Sequence, residues 1–371
     1  MKILFFLTSF SLLLSAEYLS NKDCNECHKD IYNEYRSSYH SKSFFTDELH
    51  RKVANQVSTT KYECAACHMA AANNLEDLKS GFSNPDTNNV THTDGVSCFY
   101  CHSIAYVKEA HVKNKIILSK QPQGYKPRLY ASLEDPEDSD KHSAGKSPIY
   151  EKYACNGCHS HKRNSHDVLI FRAMKKGQSS EECIECHMPK INGGVEDMNK
   201  RGRMQHHSHR FLGIHDIDFR KKGLEIAIST QKDKLEIHLK NKMAHPLIIQ
   251  PARMKYLKID IIRDGKIIWT NFKNDPMEDK QAAFVTEFAD ENGKLVNIPA
   301  FAYGILYQNN INAKSTKDLV YTGMDIKKGD IVEVKEYLYL SKPSCSAVLD
   351  LQDKSITKPI LIKKVKYIAK D

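Results

Sequence analysis

The chain has 371 residues, a length that allows two or three domains. Its formal charge of +9 suggests an anionic partner such as nucleic acid, but the cysteine pattern described below changes that sum. Beyond the first residues, no apolar run approaches the ~20 residues needed to span a bilayer, which excludes a membrane-spanning body.

The N-terminus reads as a secretory signal over residues 1–16: Lys2, the apolar run Ile3–Leu14, and a small-residue cleavage site ending at Ala16. Export to the periplasm of a Gram-negative bacterium follows as the expectation. From Cys24 to His187 one pattern, Cys-x-x-Cys-His, occurs five times and uses ten of the eleven cysteines. The copies are Cys24–Cys27–His28, Cys64–Cys67–His68, Cys98–Cys101–His102, Cys155–Cys158–His159 and Cys183–Cys186–His187. Two thiols three positions apart on a helical turn point the same way, and the next residue swings its imidazole beneath them. That is the geometry of c-type haem attachment, with the cysteines bonded to the porphyrin and the histidine as proximal iron ligand. Zinc does not require a histidine after each second cysteine. A thioredoxin-like motif would occur once beside a βαβ pattern, and a disulfide framework does not explain the repeated spacing. Five covalently bound haems are therefore expected. At about −1 for each oxidised haem they lower the net charge to about +3 after signal removal. Many lysines and arginines then read as propionate partners or solvated surface, with no nucleic-acid role. Lys200-Arg201-Gly202-Arg203 and Arg220-Lys221-Lys222 remain candidates for steering an acidic redox partner.

In chain order, Cys24 to Phe45 reads as one helix carrying the first motif, with His40 near its end. After the second motif comes an Asn-rich loop from Asn73 to Asn89, then His92, six residues ahead of the third motif, and His111, nine beyond it. Residues Ser119 to Pro148 read as a long surface loop with His142 facing solvent. His161 and His166 follow the fourth motif, and a cluster, His206-His207-Ser208-His209, follows the fifth. The cluster suggests copper or zinc, with one member serving as a haem ligand as the simpler reading. Five irons need at most five distal ligands. His40, His92, His111, His166, His209 and His245 are the candidates. Little else before about Arg220 supplies an apolar core, so the haems themselves are expected to form it.

From about Gly223 the motifs stop and alternating apolar runs begin: Leu235, Ile237 and Leu239, then Leu257, Ile259 and Ile261. Asp264-Gly265 signals a hairpin turn. Runs at Ile331–Leu340, Ala347–Leu351 and Ile360–Ile368 continue the pattern. The expected fold class is α+β in two domains. Residues 17–222 form a multihaem cytochrome c domain of short helices and long loops around haems, and residues 223–371 an all-β, immunoglobulin-like sandwich. Cys345 falls in the second domain as a buried or free thiol.

With these residues in view, the chain resembles the periplasmic multihaem c-type cytochromes, and within them the group of the tetrahaem cytochrome that takes electrons from hydroxylamine oxidoreductase. Cys24–Cys27–His28 with Tyr32, Tyr35, Ser38 and His40 is similar to that family's opening haem helix. Ser97-Cys98 through His102, with His111 beyond, is similar to its motif with a trailing histidine. Cys183 to Pro189 with His209-Arg210-Phe211 is similar to its closing segment, and Asn241 to Arg253, with His245 and Pro251, to the segment that opens a β domain in several relatives. The resemblance spans roughly residues 21–260 and implies closely packed haems with mostly bis-histidine ligation. Five motifs in place of four is a departure.

The expected function is electron transfer between a respiratory donor, such as a membrane-bound quinol-linked complex, and a periplasmic terminal reductase. The alternative is an oxidoreductase acting on a small nitrogen or sulfur compound at one five-coordinate haem. Multihaem nitrite reductases commonly carry lysine in place of one motif histidine, and all five motifs here end in histidine. A third role, docking through the β domain onto a membrane complex, is compatible with the first.

Overall fold

A computed structural model describes residues 18–42, 44–121, 125–147, 152–174, 181–193 and 202–370. The expected signal segment, residues 1–16, and Lys200 and Arg201 of the basic cluster lie outside the described residues. The described helices before Leu224 are short. They include α1 (Asn21–Asn25), α2 (Lys29–Ser37), α3 (Glu48–Val57), α4 (Ala65–His68), α5 (Leu75–Ser80), α6 (Val90–Thr93), α7 (Cys98–His102), α8 (Asn156–His159) and α9 (Glu181–His187). The expected single helix from Cys24 to Phe45 is thus two. Ser20 opens α1 with a reciprocal capping box to Asp23, and the chain leaves helical geometry at His28 (φ −106°, ψ 50°) before α2 restarts. The Asn-rich loop contains α5, closed by Gly81 in the left-handed region at φ 87°.

Small two-stranded ribbons link these helices. Strands β1 (Ile104–Lys108) and β2 (Lys115–Leu118) pair antiparallel, whereas β3 (Arg128–Ala131) and β4 (Ser143–Lys146) pair parallel inside the expected surface loop. Two further antiparallel ribbons are β5 (His161–Arg163) with β6 (Leu169–Arg172), and β7 (Lys190–Asn192) with β8 (Gln205–His207).

Beyond Gly223 the texture becomes sheet. Strands β9 (Leu224–Gln231), β10 (Lys234–Asn241), β11 (Met254–Arg263), β12 (Lys266–Thr270), β13 (Ala283–Ala289), β14 (Leu295–Val296), β15 (Gly304–Asn309), β16 (Thr316–Thr322), β17 (Ile331–Tyr339) and β18 (Ile360–Ile368) make two sheets. One has the order β16-β10-β9. The other runs β14-β13-β11-β17-β18, with β12 added to β11 and β15 to β13. Alternation puts Leu235, Ile237 and Leu239 of β10 into one core with Leu257, Ile259 and Ile261 of β11 and Val332 and Val334 of β17. Asp264 and Gly265, both at positive φ, turn β11 into β12 as their sequence requires. The expected strand signal at Ala347–Leu351 is instead the end of a helix, Pro343–Val348, followed by a turn. Pro343 at its first turn favours helix, and the apolar residues Cys345, Leu349 and Leu351 are buried by packing rather than pairing.

That packing joins the two regions. Leu49 and Val53 of α3 lie against Cys345, Leu349, Leu351 and Ile298. Asn164 Nδ2 donates to the carbonyl oxygens of Pro299 (3.0 Å) and Ala302 (2.7 Å).

Candidate haem-binding site

A cavity of about 2590 Å³ runs through the first region and up to the sheets. All ten motif cysteines and all five motif histidines line it, and no disulfide joins the described cysteines. The motif helices explain this convergence. In α7, for example, Ser97 caps the first turn through the Tyr100 N–H, so Cys98 and Cys101 share one face and His102 follows beneath.

Each motif histidine faces a second imidazole. Ring centres are 6.3 Å apart for His28–His142, 6.2 Å for His102–His209, 6.0 Å for His159–His40 and 6.4 Å for His187–His245. The fifth pair, His68–His50, is closer, at 4.9 Å with planes tilted by 38°. An iron holding two opposed imidazoles through bonds of about 2 Å would set ring centres about 6 Å apart.

In six of these ten imidazoles Nδ1 is met by an acceptor. His102 Nδ1 donates to the Tyr130 carbonyl at 2.6 Å, His209 to that of His207 at 2.8 Å and His245 to that of Pro246 at 2.8 Å; His187 reaches Leu212. His142 Nδ1 lies 3.4 Å from the Ser143 carbonyl, and His50 Nδ1 lies 2.6 Å from Asp47 Oδ2. Protonation at Nδ1 leaves Nε2 as the bare nitrogen, the form that binds a metal. Nδ1 of His28 is buried with no hydrogen-bond partner among the described residues, which leaves a donor open to an acceptor on a bound group. Burial pushes His40, His68 and His209 down to about 3, so they are neutral. Burial alone would raise the Asp47 carboxyl, but the His50 hydrogen bonds outweigh it and pull it to about 2.

The motifs also approach one another. The Cys24 thiol lies near that of Cys98, Cys67 near Cys158 and Cys183 near Cys155; these neighbours lower Cys24 and Cys183 and bring Cys67 to about 7. First and third, second and fourth, and fourth and fifth motifs are therefore neighbours. Tyr100 of the third motif lies near both Cys67 and Cys158, which closes the series.

Among the sequence candidates, His40, His209 and His245 face motif histidines. His92 does not. It is 1 % exposed, with Nε2 2.7 Å from Asn74 Oδ1 and Nδ1 accepting the Asp86 N–H at 3.0 Å, a closed hydrogen-bond set away from the cavity. His111 lies outside the cavity as well, 2.6 Å from Asp167 on the surface. His166 stands at the cavity rim, exposed and stacked on Tyr303 at 3.8 Å. Two histidines that sequence reading missed take their places, His50 and His142, the latter expected to face solvent. In the cluster, His206 bonds Glu34 at 2.9 Å and His207 the Met188 carbonyl at 2.8 Å, and no three described His, Cys, Asp or Glu side chains converge as a metal-ion site.

Comparison with known proteins gives two findings. Residues 23–103 match the family described as cytochrome c554 and c-prime. The whole chain is similar in structure to a penta-heme cytochrome c552 from Thermochromatium tepidum, with a TM-score of 0.73 and 21 % identity over 94 % of this chain and 98 % of that one. The fold is shared over nearly the full length, and the family match covers the first three motifs. Among curated proteins, no significant match is found. No helix among the described residues is long and apolar enough to cross a membrane.

Proposed function

We propose that the chain is a pentahaem electron-transfer protein of the periplasm, with residues 1–16 as its export signal, a haem region over 17–222 and an immunoglobulin-like β region over 223–371. One observation carries this reading: five motif histidines each face a second imidazole within a single cavity lined by ten motif thiols. His28 pairs with His142, His68 with His50, His102 with His209, His159 with His40 and His187 with His245, as proximal and distal ligands. Bound haem supplies one-electron redox chemistry at low potential under bis-histidine ligation. The chain's own residues fix its place. The motif cysteines would hold each haem, backbone carbonyls and, for His50, the Asp47 carboxylate orient the imidazoles, and the second imidazole would fill the place a substrate needs. Neighbouring thiols join the first motif to the third and the fourth to the second and fifth, and Tyr100 links the two groups, so the five sites form one connected series, as a relay requires. Its partners are redox proteins on either side, a quinol-linked donor and a terminal reductase.

The test is electron paramagnetic resonance on the oxidised holoprotein, with a pyridine haemochrome assay for stoichiometry. Five haems, all low-spin, are expected. A high-spin ferric signal near one haem per chain would overturn the relay and redirect assays to nitrite, hydroxylamine and sulfur oxyanions.

A further inference from the structure

One imidazole of the five facing pairs is held differently from its counterparts. His102, His187, His209 and His245 turn Nδ1 to neutral backbone carbonyls, whereas His50 turns it to a carboxylate, Asp47 Oδ2 at 2.6 Å. Asp47 is itself fixed. It is the N-cap of α3, and its other oxygen accepts the His50 backbone N–H at 3.1 Å. One residue, three positions back along the chain, thus clamps both the ring and the amide of His50. The other side of α3 is anchored too, through Leu49 and Val53 on the C-terminal region. The carboxylate therefore stays where it is while the ring faces His68.

We propose that Asp47 sets apart the haem of Cys64–Cys67–His68 as the lowest-potential site of the chain. The inference rests on the bis-histidine reading above. A carboxylate accepting the Nδ1 proton raises the basicity of the imidazole toward its metal, and its negative charge favours the more positive, oxidised iron. A carbonyl at the same place does neither to the same degree. Arg253 lies close enough to Asp47 to interact with its charge and offsets part of it, so the contact to His50 carries the effect more than the long-range field. Asp47 is a positioning residue: it acts through His50.

The experiment is a spectropotentiometric titration of the holoprotein and its Asp47→Asn variant. Asparagine caps a helix as well as aspartate does, so the fold survives; its single carbonyl oxygen can serve the His50 backbone N–H or the ring Nδ1–H but not both, so the negative charge and the two-point clamp are lost together. The expected result is one of five midpoints moving upward by about tenfold in its reduction equilibrium constant, about 59 mV for one electron. The low-spin resonance of one haem should shift with it. A His50→Met variant identifies the haem, because it should move that same midpoint further upward. Five low-spin haems with unmoved midpoints in Asp47→Asn would overturn the role of Asp47 while leaving the bis-histidine reading intact. Movement of a different midpoint from the one His50→Met alters would also overturn it. Fewer than five haems, or a high-spin iron in the unaltered protein, would instead sink the reading beneath.

Discussion

Glu333 is 5 % exposed on β17, with carboxylate oxygens 2.7 Å from Lys335 Nζ and 2.6 Å from Lys364 Nζ. Burial alone would raise its pKa; the two lysines more than reverse that and bring it from 4.5 to about 2. A carboxyl depressed in the folded state adds stability that is complete above its unfolded value and disappears as pH falls through the folded one. Glu333→Gln should therefore cost about 1 kcal/mol at neutral pH, a figure reduced because the lysines are partly solvated. The deficit should shrink between pH 4.5 and about 2. Urea unfolding across that range, followed by Trp269 fluorescence, measures it, and a deficit independent of pH would rule the account out. At this same scale, sequence pattern separated the histidines only in part. His40, His209 and His245 stand beside motif or strand features and face motif histidines. His50 carried a signal that went unread: Asp47 three residues before it is a capping arrangement that aims both side chains together. His142 had none, because it lies in a polar loop and faces the cavity rather than an apolar surface of the chain. His92 looked equivalent until Asn74 and Asp86, distant in sequence order from any motif rule, closed its hydrogen bonds.

The motif helices constrain what packs on them. In α8, Gly157 occupies a variable position of Cys155-Asn156-Gly157-Cys158-His159, where any residue satisfies the motif. A Cβ there would come within 2.5 Å of Ile116 Cδ1, from β2. The strand lies directly on this motif turn, and glycine is what admits it. Gly157→Ala should destabilise the protein by about 1–3 kcal/mol through overpacking. Adding Ile116→Ala should return most of the loss, since two residues in contact do not behave additively. Denaturant midpoints of the two single variants and the double variant decide it; equal losses that simply sum would mean the contact is not the cause. Elements were legible wherever a local rule fixes them. The five motif turns, the Asp264-Gly265 hairpin and the alternation in β10 and β11 follow from spacing alone. The parallel pair β3–β4 was not, because its two four-residue strands sit in a Pro- and Asp-rich stretch and show no run of alternating apolar residues. Tyr130 on β3 supplies the carbonyl that holds His102, and His142 sits one residue before β4. The helix at Pro343–Val348 was misread because a short apolar run has no period of its own.

At the scale of the whole molecule, the β region is tied into the haem region at several places among the described residues, Ile214 against Leu338, Leu340 and Ile362 being one. Three more matter here. His245 faces His187 at 6.4 Å, Leu49 and Val53 bury against the Cys345 helix, and Asn164 bonds the 299–302 turn. The first is the one with chemistry. Asn241, fully buried at the end of β10, donates to the His245 carbonyl at 2.9 Å and to the Ile311 and Asn312 carbonyls, so the loop that presents His245 is built into the sheet core. If His245 ligates the iron of the fifth motif, the sheets cannot unfold without removing that ligand. The single tryptophan, Trp269 on β12, then reports on the sheets, while low-spin haem absorbance reports on the cavity. In the unaltered holoprotein the two signals should share one denaturant midpoint, the signature of a cooperative transition. His245→Ala removes the tie but leaves both cores, and the two midpoints should separate, with one haem turning high-spin while the other four keep their spectra. Midpoints already apart in the unaltered protein would make the β region an independent passenger. Midpoints that stay together in the variant would place the coupling in the Leu49–Cys345 seam, and Leu49→Ala, expected to cost about 2–4 kcal/mol on cavity grounds, would then be the substitution that parts them.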